Sequence, residues 1–176
     1  MSGELDRLEA QIQEAFASTP APDARALRGS SEGDEPYLLE AEFGHVPDWR
    51  EVKAGFIDRA PDGFGSALSF FSSEAFRYYL PAYLLADLRG QLRQADPLFH
   101  LWHGLEDATR STPVNERRYG RWTWFDAVSE RFHDFTPAEA AAIVSYLRYK
   151  ATHVQDGQDQ RVIEQALRNY WLPRLE

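Results

Sequence analysis

Residues 67–93, ALSFFSSEAFRYYLPAYLLADLRGQLR, are the densest apolar and aromatic stretch of the chain, and they constrain its fold more than any other feature. Phe76, Leu80, Tyr83, Leu84 and Leu88 recur at helical spacing. A helix this apolar must be buried by neighbours. Ser72 or Ser73 can cap it, and Glu74 suits the positive end of its first turn. Pro81 falls inside the pattern and has no N–H to return to the carbonyl of Arg77. The spacing therefore predicts a kink or restart there, with a second segment over 82–93.

The neighbours are also legible. Leu5, Leu8, Ile12, Ala15 and Phe16 predict an amphipathic helix over 4–18. Tyr37 to Phe43 reads as a short helix. Asp48 reads as the N-cap of a helix from Trp49 to Arg59. Trp124, Phe125, Val128 and Phe132 share a face of a helix over 122–132. Thr136, Pro137 and Glu139 stand at N-cap, N1 and N3, a capping box that starts a helix running to about Thr152. A last helix carries Val162, Ile163, Ala166, Leu167, Tyr170 and Trp171, and Pro173 ends it. Residues 19–36, rich in Pro, Ser, Gly and acids, read as a mobile loop. Residues 60–66, APDGFGS, read as a turn. Periodicity is poor over 96–121, where a short strand or extended segment is expected. The sum is a mainly α chain of five to seven helices forming one domain over residues 1–176.

Composition narrows the function classes. The chain has 176 residues and no cysteine, so disulfide scaffolds and thiolate metal sites are excluded. No apolar run approaches the roughly 18 residues of a membrane span. The N-terminal stretch is charged and lacks the apolar core of a signal peptide, which makes the cytoplasm the expected location. The net charge of −9 is uneven: residues 1–66 carry 14 acids and 6 bases, a net of −8, whereas residues 67–176 carry 14 and 13, a net of −1. This balance argues against general phosphate-backbone binding.

Several segments resemble a bacterial family of unknown function. The segment LSFFSSEAFRYYLPAYL over residues 68–84 is similar to a family signature that reads FLSPEAFRYYLPAYL. Asp48-Trp49, the segment DPLFHL over 96–101, FTPAE over 135–139 and NYWLP over 169–173 extend the likeness to most of the chain. This sequence departs at Phe71-Ser72-Ser73, where the family often has Leu-Ser-Pro, a change confined to the helix cap. The resemblance implies no activity, cofactor or catalytic residue.

Candidate site residues come from side-chain chemistry alone. Arg77 sits beside Phe76, Tyr78 and Tyr79, and an Arg between aromatics offers a planar fork for carboxylate or phosphate and a face for stacking. Helical spacing also explains these rings as core, with Arg77 paired to Glu74 or Asp87. His100 is a candidate base or ligand-binding group. His100 and His103 with Glu106 and Asp107 lack a metal-site pattern and read as packing. Ser72 and Ser73 lie in no nucleophile motif and read as caps. Arg117, Arg118 and Arg121 interleave with Tyr119, Trp122 and Trp124, the one basic and aromatic run. The four Arg of 96–121 balance its four acids, and the run reads as a solvated loop edge rather than a nucleic-acid platform.

The expectation is a non-enzymatic binding or protein-interaction module with a protein partner, no cofactor, no metal and no membrane contact. Ligand- or partner-binding candidates are Arg77, Tyr78, Tyr79 and His100. The alternative is a small hydrolase or transferase with its site near these same four residues. Oligomeric state is not written in the sequence.

Overall fold

The structure is a computed structural model that describes residues 2–46 and 48–176; Met1 and Pro47 lie outside the described residues. The fold is mainly helical, with ten α-helices and no strand among the described residues. Three of them, α3 (Ala54–Ile57), α4 (Ala67–Phe70) and α7 (Glu116–Tyr119), are single turns of four residues. The other seven are α1 (Ser2–Ala15), α2 (Glu35–Phe43), α5 (Ser73–Leu88), α6 (Pro97–Trp102), α8 (Trp124–Arg131), α9 (Pro137–His153) and α10 (Gly157–Ala166). The chain divides into two compact units, Met1–His100 and Leu101–Glu176.

In the first unit the dense apolar stretch becomes α5, and eleven of its sixteen residues are buried. The Ser72 hydroxyl accepts from the Ala75 N–H at 3.0 Å and caps the helix. It also donates to the Ala26 carbonyl. The Ser72 N–H donates to Leu27 O at 2.9 Å, and the Gly29 N–H to Phe70 O at 2.8 Å. Segment 26–29, inside the stretch read as a loop, is thereby tied to the start of α5. A Cβ at Gly29 would lie 2.7 Å from the Phe71 carbonyl oxygen, so the close approach requires glycine. Pro81 is accommodated without a restart: α5 stays helical through it to Leu88. Around α5 pack Leu8, Ile12 and Phe16 from the α1 end, and a ring cluster in which Phe43 meets Phe71 at 4.8 Å and Tyr79 at 4.9 Å.

Asp48 does cap at Trp49, accepting from Arg50 N at 2.9 Å, but the element it starts is a single 3-10 turn, Trp49–Glu51. Val52 then adopts extended backbone (φ −71°, ψ 124°), so the helix expected to Arg59 is broken and resumes as α3.

In the second unit the capping box predicted at Thr136 is present: Glu139 N donates to Thr136 Oγ1 at 3.2 Å, and Thr136 N to Glu139 Oε2 at 2.7 Å. It opens α9, which buries Ala140, Ile143, Val144, Tyr146 and Leu147. After α10 the helix widens into one π turn, Leu167–Trp171, where the Leu172 N–H reaches back five residues to Leu167 O at 2.9 Å. Trp171 is fully buried against Phe132 at 4.8 Å and donates its indole N–H to Leu101 O at 2.9 Å. The segment read as extended, 96–121, contains α6, started by Asp96 accepting from Phe99 N at 2.9 Å. Its one ladder-like element is an isolated bridge between Pro113 and Thr123.

Candidate functional site

Tyr78 and Tyr79 of α5 are buried, and their hydroxyls are committed to backbone. Tyr79 donates to Val46 O at 2.7 Å, and burial pushes its pKa up to about 12. Tyr78 is raised too, by burial against a hydrogen bond with the Trp49 backbone that works the other way. Both phenols stay protonated at neutral pH, and Tyr79 anchors the chain at residue 46. Arg77, on the same helix, is half-buried. His100 is half-buried between rings, 5.5 Å from Phe99 and 6.3 Å from Phe76 by centroid.

Two concavities open in the first unit, and these four residues line neither. The larger, about 320 Å³, lies between the α1, 3-10 and α5 segments and includes Gln13, Trp49, Arg50, Leu85, Arg89 and Gln91. The smaller, about 230 Å³, is lined by Glu42, Phe56, Arg59 and Asp62.

Three carboxylates that sequence reasoning did not single out as structural prove to be fasteners. Asp58 is buried, and its Oδ1 accepts from the backbone N–H groups of Arg93, Gln94 and Ala95 at 2.7, 2.8 and 3.1 Å. Burial alone would raise its pKa, but these donors and the Arg93 charge more than reverse that and hold it below the usual carboxylate range. Glu106, also buried, accepts from Gly104 N at 2.8 Å and from the Thr109 hydroxyl. Asp107 accepts from Asn169 and Arg168, both at 2.9 Å, and Asn169 also donates to Leu105 O at 2.8 Å. Among the described residues no three His, Cys, Asp or Glu side chains come together as metal ligands.

The basic and aromatic run of the second unit is the other distinctive feature. No residue from Asp107 to Arg131 is buried, although the stretch includes Tyr119, Trp122, Trp124 and Phe125. Its tip is nonetheless shaped. Val114 N donates to Trp122 O at 2.9 Å, and Trp124 N to Thr112 O at 3.0 Å, which closes residues 112–124 into a hairpin-like excursion. Asn115 caps the single turn of α7 through Arg118 N at 3.2 Å. Gly120 takes φ 64° to reverse the chain. A second capping box, Thr123 with Asp126, starts α8. Tyr119 and Trp122 are 44% and 41% exposed with ring centroids 6.0 Å apart, and the Arg118 guanidinium lies 5.2 Å from the Tyr119 ring. Arg117 and Arg121 are exposed beside them.

Among the described residues no helix is long and apolar enough to cross a membrane. No curated protein and no solved structure matches the chain. Residues 4–175 match one family, and the chain belongs to it: the family of unknown function DUF6714.

Proposed function

We propose that this protein is a non-catalytic binding module that docks a protein partner bearing exposed carboxylates through the tip at residues 115–124. The observation that carries this reading is the exposure of Tyr119 and Trp122 amid Arg117, Arg118 and Arg121, on a segment with no buried residue. Trp, Tyr and Arg are the residue types that dominate protein interfaces, because they supply large contact area and bidentate pairing at low entropic cost. Backbone hydrogen bonds hold the tip in shape, which lowers the ordering cost of association. A nucleic acid is disfavoured: Asp107, Glu116 and Asp126 stand on the same segment, and the chain carries a net −9. The candidates on α5 serve this reading as scaffold, since the buried Tyr hydroxyls have backbone partners and no acid–base role.

The test uses fluorescence anisotropy with a labelled peptide of alternating Glu and Phe, and with a labelled oligothymidylate. The expected result is peptide binding that weakens steeply between about 50 and about 300 mM salt. Binding is expected to disappear in the folded Arg117→Glu/Arg118→Glu variant. Oligothymidylate binding in place of the peptide, or peptide binding that survives both charge reversals, overturns the proposal.

A further inference from the structure

The larger concavity of the first unit has a lining of definite chemistry. Its charged groups are two guanidiniums, Arg50 and Arg89, and no acid lines it. Each cation is held by a carboxylate: Arg50 by Asp48 at 3.0 Å, and Arg89 by Glu9 through Nε at 3.0 Å and Nη2 at 2.6 Å. These pairings fix the side chains in place and leave N–H donors over, since a guanidinium carries five. The Arg50 Nη2 also donates to Ala17 O at 2.6 Å, and its plane lies 4.9 Å from the Trp49 ring. Trp49 is 2% exposed, and its indole N–H has no hydrogen-bond partner. The α5 side of the cleft is apolar, formed by Leu85 and two alanines. Gln13 and Gln91 are exposed at the cleft and can each donate and accept.

From this lining we infer that the cleft is a binding site for a small apolar carboxylate. The acid group sits against the spare N–H donors of Arg89 and the Gln91 amide, and the hydrocarbon body lies along Leu85 and Trp49. Fixed cations with unspent donors select an anion. The alanines leave space that an alkyl or aryl group fills with loss of water-exposed apolar surface. The site is built wholly from residues of the first unit, so it stands or falls apart from the tip of the second.

The experiment is a titration of the full chain with octanoate, followed by the ¹H–¹⁵N signals of the tryptophan indoles, with octanol and octylamine as parallel arms. Saturable shifts of the Trp49 indole with octanoate, and with neither of the others, are expected. Gln91→Glu places a charge at the rim without touching buried groups and is expected to weaken octanoate binding roughly five-fold or more. Arg89→Gln is a second variant, accepted for comparison once its melting curve shows a folded chain, and it is expected to weaken binding at least as much. Octanol or octylamine binding as well as octanoate, unchanged affinity in Gln91→Glu, or no shift of the Trp49 indole overturns the inference.

Discussion

Helix α5 and the tip at 115–124 are made of the same materials, aromatic rings with arginine between them, and the fold treats them in opposite ways. In α5, Phe76, Tyr78, Tyr79 and Tyr83 are buried. In α7 and α8 no residue is buried. The difference lies in what surrounds the rings. In α5 the intervening residues are Leu, Ala and Pro over more than four turns, so every face is apolar and neighbours close around it. In the tip the rings alternate with Arg, Asn, Glu and Gly, and α7 spans a single turn too short to present a continuous stripe. Ring content alone therefore does not mark a core; the residues between the rings do.

The comparison breaks or sharpens under substitution. Phe76→Ala removes a fully buried ring from α5 and is expected to cost about 3–5 kcal/mol in a denaturant unfolding curve. A cost near zero would mean that α5 is not the centre of the first unit.

Asp58→Asn comes next, at about 2 kcal/mol near neutral pH, because the three backbone donors lose a charged acceptor. The pH dependence has a fixed sign. Folding lowers the Asp58 pKa, so its contribution is complete above about pH 4 and fades as the pH falls through the lowered native value. The stability gap between the protein and Asp58→Asn should stay constant down to about pH 4 and narrow below it. A gap that persists undiminished to pH 2 would show that the negative charge contributes nothing.

Tyr79→Phe removes one hydroxyl bond to Val46 O and should cost about 1 kcal/mol, with peptide binding at the tip unaltered. Loss of peptide binding in this variant would make α5 part of the recognition surface. Smallest of all, Trp122→Ala should change stability by less than about 0.5 kcal/mol while weakening the peptide complex. A large stability loss there would erase the contrast with α5.

What could be read from the sequence was local. Thr136, Pro137 and Glu139 specify a helix start within four residues, and that start is where it was expected. The period of α5 and the helical nature of Glu35–Phe43 were legible for the same reason. Asp58 was not legible as a fastener, since its donors lie 35 to 37 residues away. Nor was the target of the Tyr79 hydroxyl, 33 residues away. The break at Val52 and the separation of α3 from the Asp48 cap depend on how short segments pack, which periodicity does not encode. At the tip, the residues of the basic and aromatic run were visible, but their exposure was not, because burial is settled by what the rest of the chain leaves uncovered.

The π turn at Leu167–Trp171 has a consequence for how this chain tolerates changes of length. One turn closed over five residues instead of four holds one residue more than an α-helical turn, as if a single amino acid had been inserted and absorbed on the spot. Upstream, the apolar face of α10 keeps its phase, and downstream Trp171 keeps its bond to Leu101 O. Removing one residue between Leu167 and Tyr170 would return the turn to α geometry and rotate everything after it by about 100°. Trp171 would then swing off Phe132, and the 101–107 loop would lose both its indole donor and the Asn169 clasp. The C-terminal helix therefore has a reading frame of its own, and the register of the second unit depends on that extra residue.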